Sequence, residues 1–150
     1  MSDFQEPFYV GEFRHNLDAK NRLSIPAKWR FEGDEKVDFM IFPHPNGHLM
    51  VLPPAEGQKL RKAVFEQALG DDDAQKWQYK TFSQADTVRF DKNGRFTLPE
   101  RLLKRVGITR ETVISGMLTK FAIWSPEKWE TEAPDESRDN FSQLMKQVRV

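Results

Sequence analysis

This sequence predicts an α+β fold, mainly β, made of two tandem β-β-α-β-β units with flanking helices. Three observations carry that prediction. First, the segment from His15 to Pro26 returns as Val88 to Pro99, with Asp18 on Asp91, Arg22 on Arg95 and Pro26 on Pro99. The same offset holds without insertion as far as Met50 and Val51, which fall on Ile123 and Trp124, and Pro53, which falls on Pro126. A match this long marks two copies of one fold, a pseudo-symmetric pair rather than a solenoid. Second, each copy alternates apolar runs with Asp/Asn/Gly-rich turns, the pattern of strands. Third, apolar residues recur at helical spacing between the copies and after the second.

In chain order, Phe8, Val10, Phe13 and Leu17 lie among polar residues and read as a strand. The run breaks at a tight turn before Leu23 and Ile25 resume, so strand, turn and strand form a hairpin. The equivalent turn in the second copy is Asp91-Lys92-Asn93-Gly94, and Asn-Gly is a strong hairpin signal because both residues tolerate positive φ. Asn21 stands where the second copy has Gly94, and Asn is the next most tolerant residue, so one turn geometry is expected for both. A proline then opens a short helix in each copy, Pro26 to Phe31 before Gly33 and Pro99 to Val106 before Gly107. Two further strands follow: Phe39 to Phe42 and Leu49 to Leu52 in the first copy, Thr112 to Ser115 and Lys120 to Trp124 in the second. Each unit is too small to bury a core alone, which predicts pairing between the copies.

Leu60, Val64, Phe65, Ala68 and Leu69 make a helical stripe expected to stop at Gly70. Asp71, Asp72 and Asp73 sit where a second helix begins, ahead of Trp77, Tyr79 and Phe82, because carboxylates cap N–H groups and favour the positive end of the dipole. Ser125-Pro126-Glu127 opens a short helix to Trp129. Phe141, Leu144, Met145 and Val148 give a terminal helix an apolar stripe that should pack on its own unit or on a neighbouring subunit. The expected division is a first unit at residues 11–57, a helical linker at 58–83, a second unit at 84–129 and a helical tail at 130–150.

The chain is neutral, with 23 basic and 23 acidic residues, but the charge is not evenly spread. Residues 14–30 carry Arg14, Lys20, Arg22, Lys28 and Arg30 against Asp18, a net of +4. Residues 89–105 carry Arg89, Lys92, Arg95, Arg101, Lys104 and Arg105 against Asp91 and Glu100, again +4. Screening confines a charge's influence to about 8 Å at physiological salt, so such patches attract a polyanion even on a neutral protein. A merely solvated surface would have to arise twice in register.

No cysteine is present, which removes disulfides and thiolate metal sites and fits a reducing compartment. No stretch approaches the roughly 20 apolar residues of a membrane helix, so a soluble, cytoplasmic protein without a membrane partner is expected, nucleoid-associated where its basic patches meet DNA. His44 and His48 have a metal-like spacing, but they flank a Pro-Asn-Gly turn and no third ligand is evident; no metal is expected there or at Asp71 to Asp73. No nucleophile elbow, Walker or dinucleotide motif occurs, so neither catalysis, a cofactor nor a small-molecule substrate is expected.

The chemistry therefore rests on the D-x-x-x-R turns. Asp18 and Asp91 are expected to accept backbone N–H bonds and to pair with Arg22 and Arg95, with Gly94 supplying the turn conformation. Lys20, Asn21 and Arg22, with Arg14 and His15 beside them, make a cationic ribbon suited to the major groove of double-stranded DNA. Arg89, Lys92 and Arg95 are the second copy's counterpart, with Arg95 read as the more structural of the two arginines.

H-x-L-D-x-K-x-R-x-S-x-P, then D-x-x-G-R-x-x-L-P, then F-x-I-W-S before a further Trp, resemble the MraZ family of tandem SpoVT-AbrB-type proteins, over about Gly11 to Trp129. That resemblance implies a pseudo-dimeric swapped-hairpin barrel, a ring-shaped homo-oligomer of eight subunits or more, and binding to short direct repeats in the promoter of the division and cell-wall gene cluster, with repression as the expected outcome. It places the DNA-facing motif on Asp18, Lys20, Asn21 and Arg22 and its repeat on Asp91, Gly94 and Arg95. The chain departs from the family pattern at Asn21, where glycine is usual. The competing reading is an oligomeric protein-interaction scaffold in cell division, with DNA binding secondary and Phe141, Leu144 and Met145 as its docking surface.

Overall fold

The structure, a computed structural model, describes residues 6–132 and 139–148. Its strands are β1 (Glu12–Asn16), β2 (Arg22–Ser24), β3 (Phe39–Pro43), β4 (Leu49–Leu52), β5 (Asp86–Val88), β6 (Arg95–Thr97), β7 (Glu111–Gly116) and β8 (Phe121–Trp124). The helices are α1 (Pro54–Phe65), α2 (Asp72–Phe82), α3 (Glu100–Arg105), α4 (Pro126–Glu132) and α5 (Asp139–Gln147).

All pairings are antiparallel. One sheet has the order β1-β7-β8-β4-β3-β5, and a second consists of β2 and β6. Only β3–β4 and β7–β8 join neighbours within a copy; β1–β7, β3–β5, β4–β8 and β2–β6 each join one copy to the other. The predicted pairing between copies is thus realised strand by strand. The larger sheet is open, with β1 and β5 at its edges, and does not close into a barrel. The β2–β6 ladder instead covers the core through side chains, with Leu23 and Phe96 fully buried among Phe39, Ile41, Val51, Ile114 and Phe121. Burying side chains of this size stabilises by roughly 1.5–3 kcal/mol each, and both copies contribute to the one cluster.

This interlocking corrects the predicted hairpin. β1 and β2 share a turn but no ladder, since β1 pairs with Glu111–Ser115 and β2 with Arg95–Thr97. Their backbone ladders come from the other copy, while their apolar positions join a single cluster drawn from both copies.

The strand phase near the start also differs. Tyr9, not Phe8 or Val10, enters the core; it bridges to Leu118 and packs edge-on against Trp29 and Phe31. The first predicted helix contracts to a 3₁₀ turn over Ala27–Trp29 that inserts Trp29, while α3 forms as expected and buries Leu102 and Leu103.

Between the copies, α1 begins on Pro53-Pro54 and ends at Phe65, short of Gly70. Phe65 and Leu69 are 86% and 90% exposed, so nothing rewards continuing the helix past its contact with the sheet. Asp71 caps α2 as predicted, its Oδ1 accepting the N–H groups of Asp73 at 3.0 Å and Ala74 at 3.1 Å. α5 forms, but residues 142–148 are exposed rather than packed; the side chain of Phe141 lies outside the described residues.

Candidate nucleic-acid interface

The two D-x-x-x-R turns have the same construction. In the first, the Asp18 N–H donates to the Arg22 carbonyl at 3.1 Å and the Asn21 N–H to the Asp18 carbonyl at 3.1 Å. In the second, Asp91 donates to Arg95 at 2.9 Å and Gly94 to Asp91 at 3.1 Å. Asn21 and Gly94, at φ 60° and 75°, take the left-handed residue in each. This is a β-turn followed by one αL residue; Asn93 keeps a negative φ, so the two-residue Asn-Gly turn suggested by the sequence is not used. The expectation that Asn21 replaces glycine without changing the turn is met.

Each aspartate binds its turn from within. Asp18 Oδ1 accepts the N–H groups of Lys20 and Arg22, both at 2.9 Å, and Oδ2 accepts Arg22 Nε at 2.6 Å. Asp91 Oδ1 accepts Asn93 at 2.8 Å and Arg95 at 2.9 Å, and Oδ2 accepts Arg95 Nε at 2.8 Å. The Arg22 backbone N–H chiefly, with the guanidinium and the Lys20 N–H, holds the Asp18 carboxyl at about 2, against a smaller opposing effect of desolvation. Desolvation alone would raise Asp91, but the Arg95 and Asn93 donors together overcome it and lower the carboxyl.

The β2–β6 ladder sets the turns at its two ends. Leu98 N–H reaches the Asn21 carbonyl at 2.8 Å and Ile25 N–H the Gly94 carbonyl at 3.1 Å, two bonds related by the internal repeat. Leu23 and Phe96 pair at the centre and face inward. Strand alternation therefore puts Arg22, Ser24, Arg95 and Thr97 on the outward face. The arginines are diagonal neighbours, and Arg95 Nη1 lies 3.9 Å from Asp18 Oδ2. Their side chains are 31% and 24% exposed, so each is anchored through Nε with part of its guanidinium open to solvent.

Lys20 and Lys92 stand exposed on the turns and make no ion pair among the described residues. Arg14 and Arg89 do not join this group. Arg14 pairs with Glu130 at 3.3 Å and Glu12 at 3.9 Å, and Arg89 with Asp38 at 2.9 Å. His15 is exposed on β1, where its carbonyl accepts the Thr112 hydroxyl.

Arg30 is the residue that sequence reasoning passed over. It belongs to the first copy yet lies across the second turn, where a Cβ at Gly94 would overlap its guanidinium and come within 2.7 Å of its Cδ. It lines a cleft of about 760 Å³ with Phe90, Asp91 and Lys92. Its place in the basic run was visible; its contact partner, more than sixty positions away, was not.

Away from the turns, His48 is buried and stacked between His44 and Trp124, with ring centroids 4.6 and 4.1 Å away. Neither ring nitrogen has a hydrogen-bond partner among the described residues. Burial, then His44, holds it down to about 4. Among the described residues, no group of three His, Asp or Glu side chains is placed to hold a metal ion, and no helix is long and apolar enough to cross a membrane.

Fold and site together define a duplicated, interlocked β-rich protein displaying two arginine-anchored turns on one face. A family model described as "MraZ protein, putative antitoxin-like" matches residues 81–148. A Clostridium tetani protein named Transcriptional regulator MraZ is 34% identical over 122 residues, 81% of this chain and 84% of that protein. Its namesake in Clostridium acetobutylicum is 36% identical over the same shares, and one in Leuconostoc mesenteroides is 33% identical over 91% of this chain and 93% of its own length. The chain belongs to the MraZ family.

Proposed function

We propose that this protein is a transcriptional regulator that binds double-stranded DNA through the outward face of the β2–β6 ladder. The observation that carries this reading is the display of Arg22 and Arg95 on one face, each pinned through Nε, with Arg95 Nη1 also 3.9 Å from Asp18 and part of each side chain open to solvent. A guanidinium held this way loses little side-chain entropy on meeting a phosphate or a guanine edge. Lys20, Asn21 and Lys92 extend the contact from the turns, and Arg14, His15 and Arg89 act at its margin once DNA competes for their carboxylate partners. Asp18, Asp91 and Gly94 set turn geometry.

The relatives named as transcriptional regulators support this reading. In it, residues 11–57 and 84–129 are the paired units of a swapped-hairpin arrangement, joined by 58–83 and followed by 130–150. A single turn pair binds weakly at physiological salt. A ring of copies meeting short direct repeats in a promoter of the division and cell-wall cluster raises effective concentration and multiplies affinity by roughly 10² to 10⁴. Repression follows from occupying that promoter.

The test is a fluorescence-anisotropy titration with DNA from upstream of the coding region, against scrambled DNA of equal length, at two salt concentrations. Tighter binding to the natural sequence that weakens with salt and is lost in Arg22→Ala supports the reading. Equal affinity for both duplexes, or binding indifferent to Arg22, overturns it.

A further inference from the structure

The outward face of the six-stranded sheet is incompletely covered. α4 caps its β7–β8 side, where Trp129 packs on Trp124. α1 and α2 lie over the β3–β4 side, yet neither helix buries a single residue. Beside them runs a groove of about 480 Å³ lined by Phe42, Met50, Leu52, Leu60, Trp77 and Thr81. A second apolar recess, formed by Met40, Leu60, Val64 and Phe82, adjoins it through Leu60. The same chain carries an unpartnered apolar helix: Leu144 and Met145 on α5 and Val148 just beyond it are 51%, 36% and 65% exposed. Within one chain both surfaces stay open to water, and apolar surface left in water favours association.

We propose that α5 of one copy lies in the α1–α2 groove of a second copy. Charge supports that occupant. Lys59, Arg61 and Lys120 line the groove and its adjoining recess without an ion pair among the described residues, against Glu56 alone. The stretch leading into α5 carries Asp135, Glu136 and Asp139 against Arg138. Acidic lead meets basic rim while Leu144, Met145 and Val148 enter the apolar floor. Helix and groove are different surfaces of the same chain, so the contact is heterologous: after one contact the first chain keeps its groove free and the second its helix. Such contacts propagate and end by closing into a ring or continuing as a filament. The inference rests on the self-association in the reading above, and its readout needs no DNA, so either can fail alone.

Disulfide trapping tests it cleanly, because the full chain has no cysteine of its own. The double variant Leu144→Cys with Thr81→Cys, oxidised in dilute solution, is expected to give a ladder of covalently linked chains on a non-reducing gel. Leu144→Cys paired with Glu32→Cys should not. In parallel, Leu144→Glu with Met145→Glu should reduce the sedimentation mass toward that of one chain while leaving the circular dichroism and melting curve unchanged, since residues 142–148 contribute nothing to the core. A fast-migrating single chain with an internal disulfide would mean that α5 docks on its own groove. That result, the absence of any groove-specific disulfide, or a mass indifferent to the two glutamates overturns the proposal.

Discussion

Asp18 and Arg95 belong to different copies of the repeat, yet the Asp18 carboxylate stands 3.9 Å from Arg95 Nη1 while also binding Arg22 at 2.6 Å. One carboxylate thus touches both arginines of the outward face, and the second turn bears on the position of the first. The two copies form one surface, not two independent contacts.

Arg22→Ala is expected to weaken binding to promoter DNA by tenfold or more, within the roughly 1–3 kcal/mol of one good arginine contact. If Arg22 meets phosphate, the slope of log affinity against log salt shrinks by about 1. Arg95→Ala should cost less, because its larger share is positional. Anisotropy titrations across a salt series measure both.

Gly94→Ala is expected to destabilise the fold by about 1–2 kcal/mol from the left-handed backbone alone, with a further loss from displacing Arg30. Placed on an Arg30→Ala background, the same change should cost only the backbone part. A double-mutant cycle by urea denaturation reads the difference; strict additivity would mean that Arg30 does not pack on the second turn in solution.

The folded-state pKa of Asp18, about 2, lies below its ordinary 3.8, so its stabilising contribution is complete above the ordinary value and fades as pH falls through about 2. Asp91 is lowered too and acts in the same direction. Stability measured by denaturation should therefore fall with acidification across that window. The slope should flatten in Asp18→Asn with Asp91→Asn.

His48 acts at milder pH. Its value is held at about 4 against an ordinary 6.5, so between those limits the unfolded chain binds a proton that the folded chain refuses. Stability should be highest above about pH 6.5 and decline as pH drops toward 4. His48→Phe, which keeps an aromatic ring against Trp124, should shrink that decline in a pH series of thermal melts, the remainder belonging to His44, which burial also lowers.

Tyr9 is fully buried and its hydroxyl has no hydrogen-bond partner among the described residues. Tyr9→Phe deletes an unpaired polar group and should leave stability unchanged or raised by up to about 1 kcal/mol, whereas Tyr9→Ala should cost about 3–5 kcal/mol for the cavity among Trp29, Phe31 and Phe121. Thermal denaturation of the pair separates packing from hydrogen bonding at this position.

Much of this architecture is written in local chemistry. The Asp18 and Asp91 turns, the Asn21-for-glycine exchange, the Asp71 cap and the proline-led α3 follow from single residues whose backbone preferences operate within four or five positions. Long-range choices were not legible. Nothing near Phe8, Tyr9 and Val10 indicates which of them enters the core, because Leu118 and Trp29 decide it. Likewise, the stripe through Phe65 and Leu69 has helical spacing but no surface to meet, so α1 stops at Phe65.

The candidate site divides in the same way. Its residue types and their twofold recurrence were plain from the sequence, while Arg30 was hidden, since its partner at Gly94 lies in the other copy. The separation of Arg14 and Arg89 from the central group was hidden as well, because their partners Glu130 and Asp38 are distant in the chain.

The sequence by itself determined that one unit occurs twice, that each carries an aspartate-closed, arginine-bearing turn, and that positive charge gathers there, since all three depend on residue identity and short-range geometry. Only the tertiary structure decided that β1 leaves β2 for β7, that Arg22 and Arg95 share a face across one ladder, and that Asp18 answers to both. Strand partners are chosen by burial of apolar faces against the whole fold, and a side chain's charge has a partner only where that choice brings one.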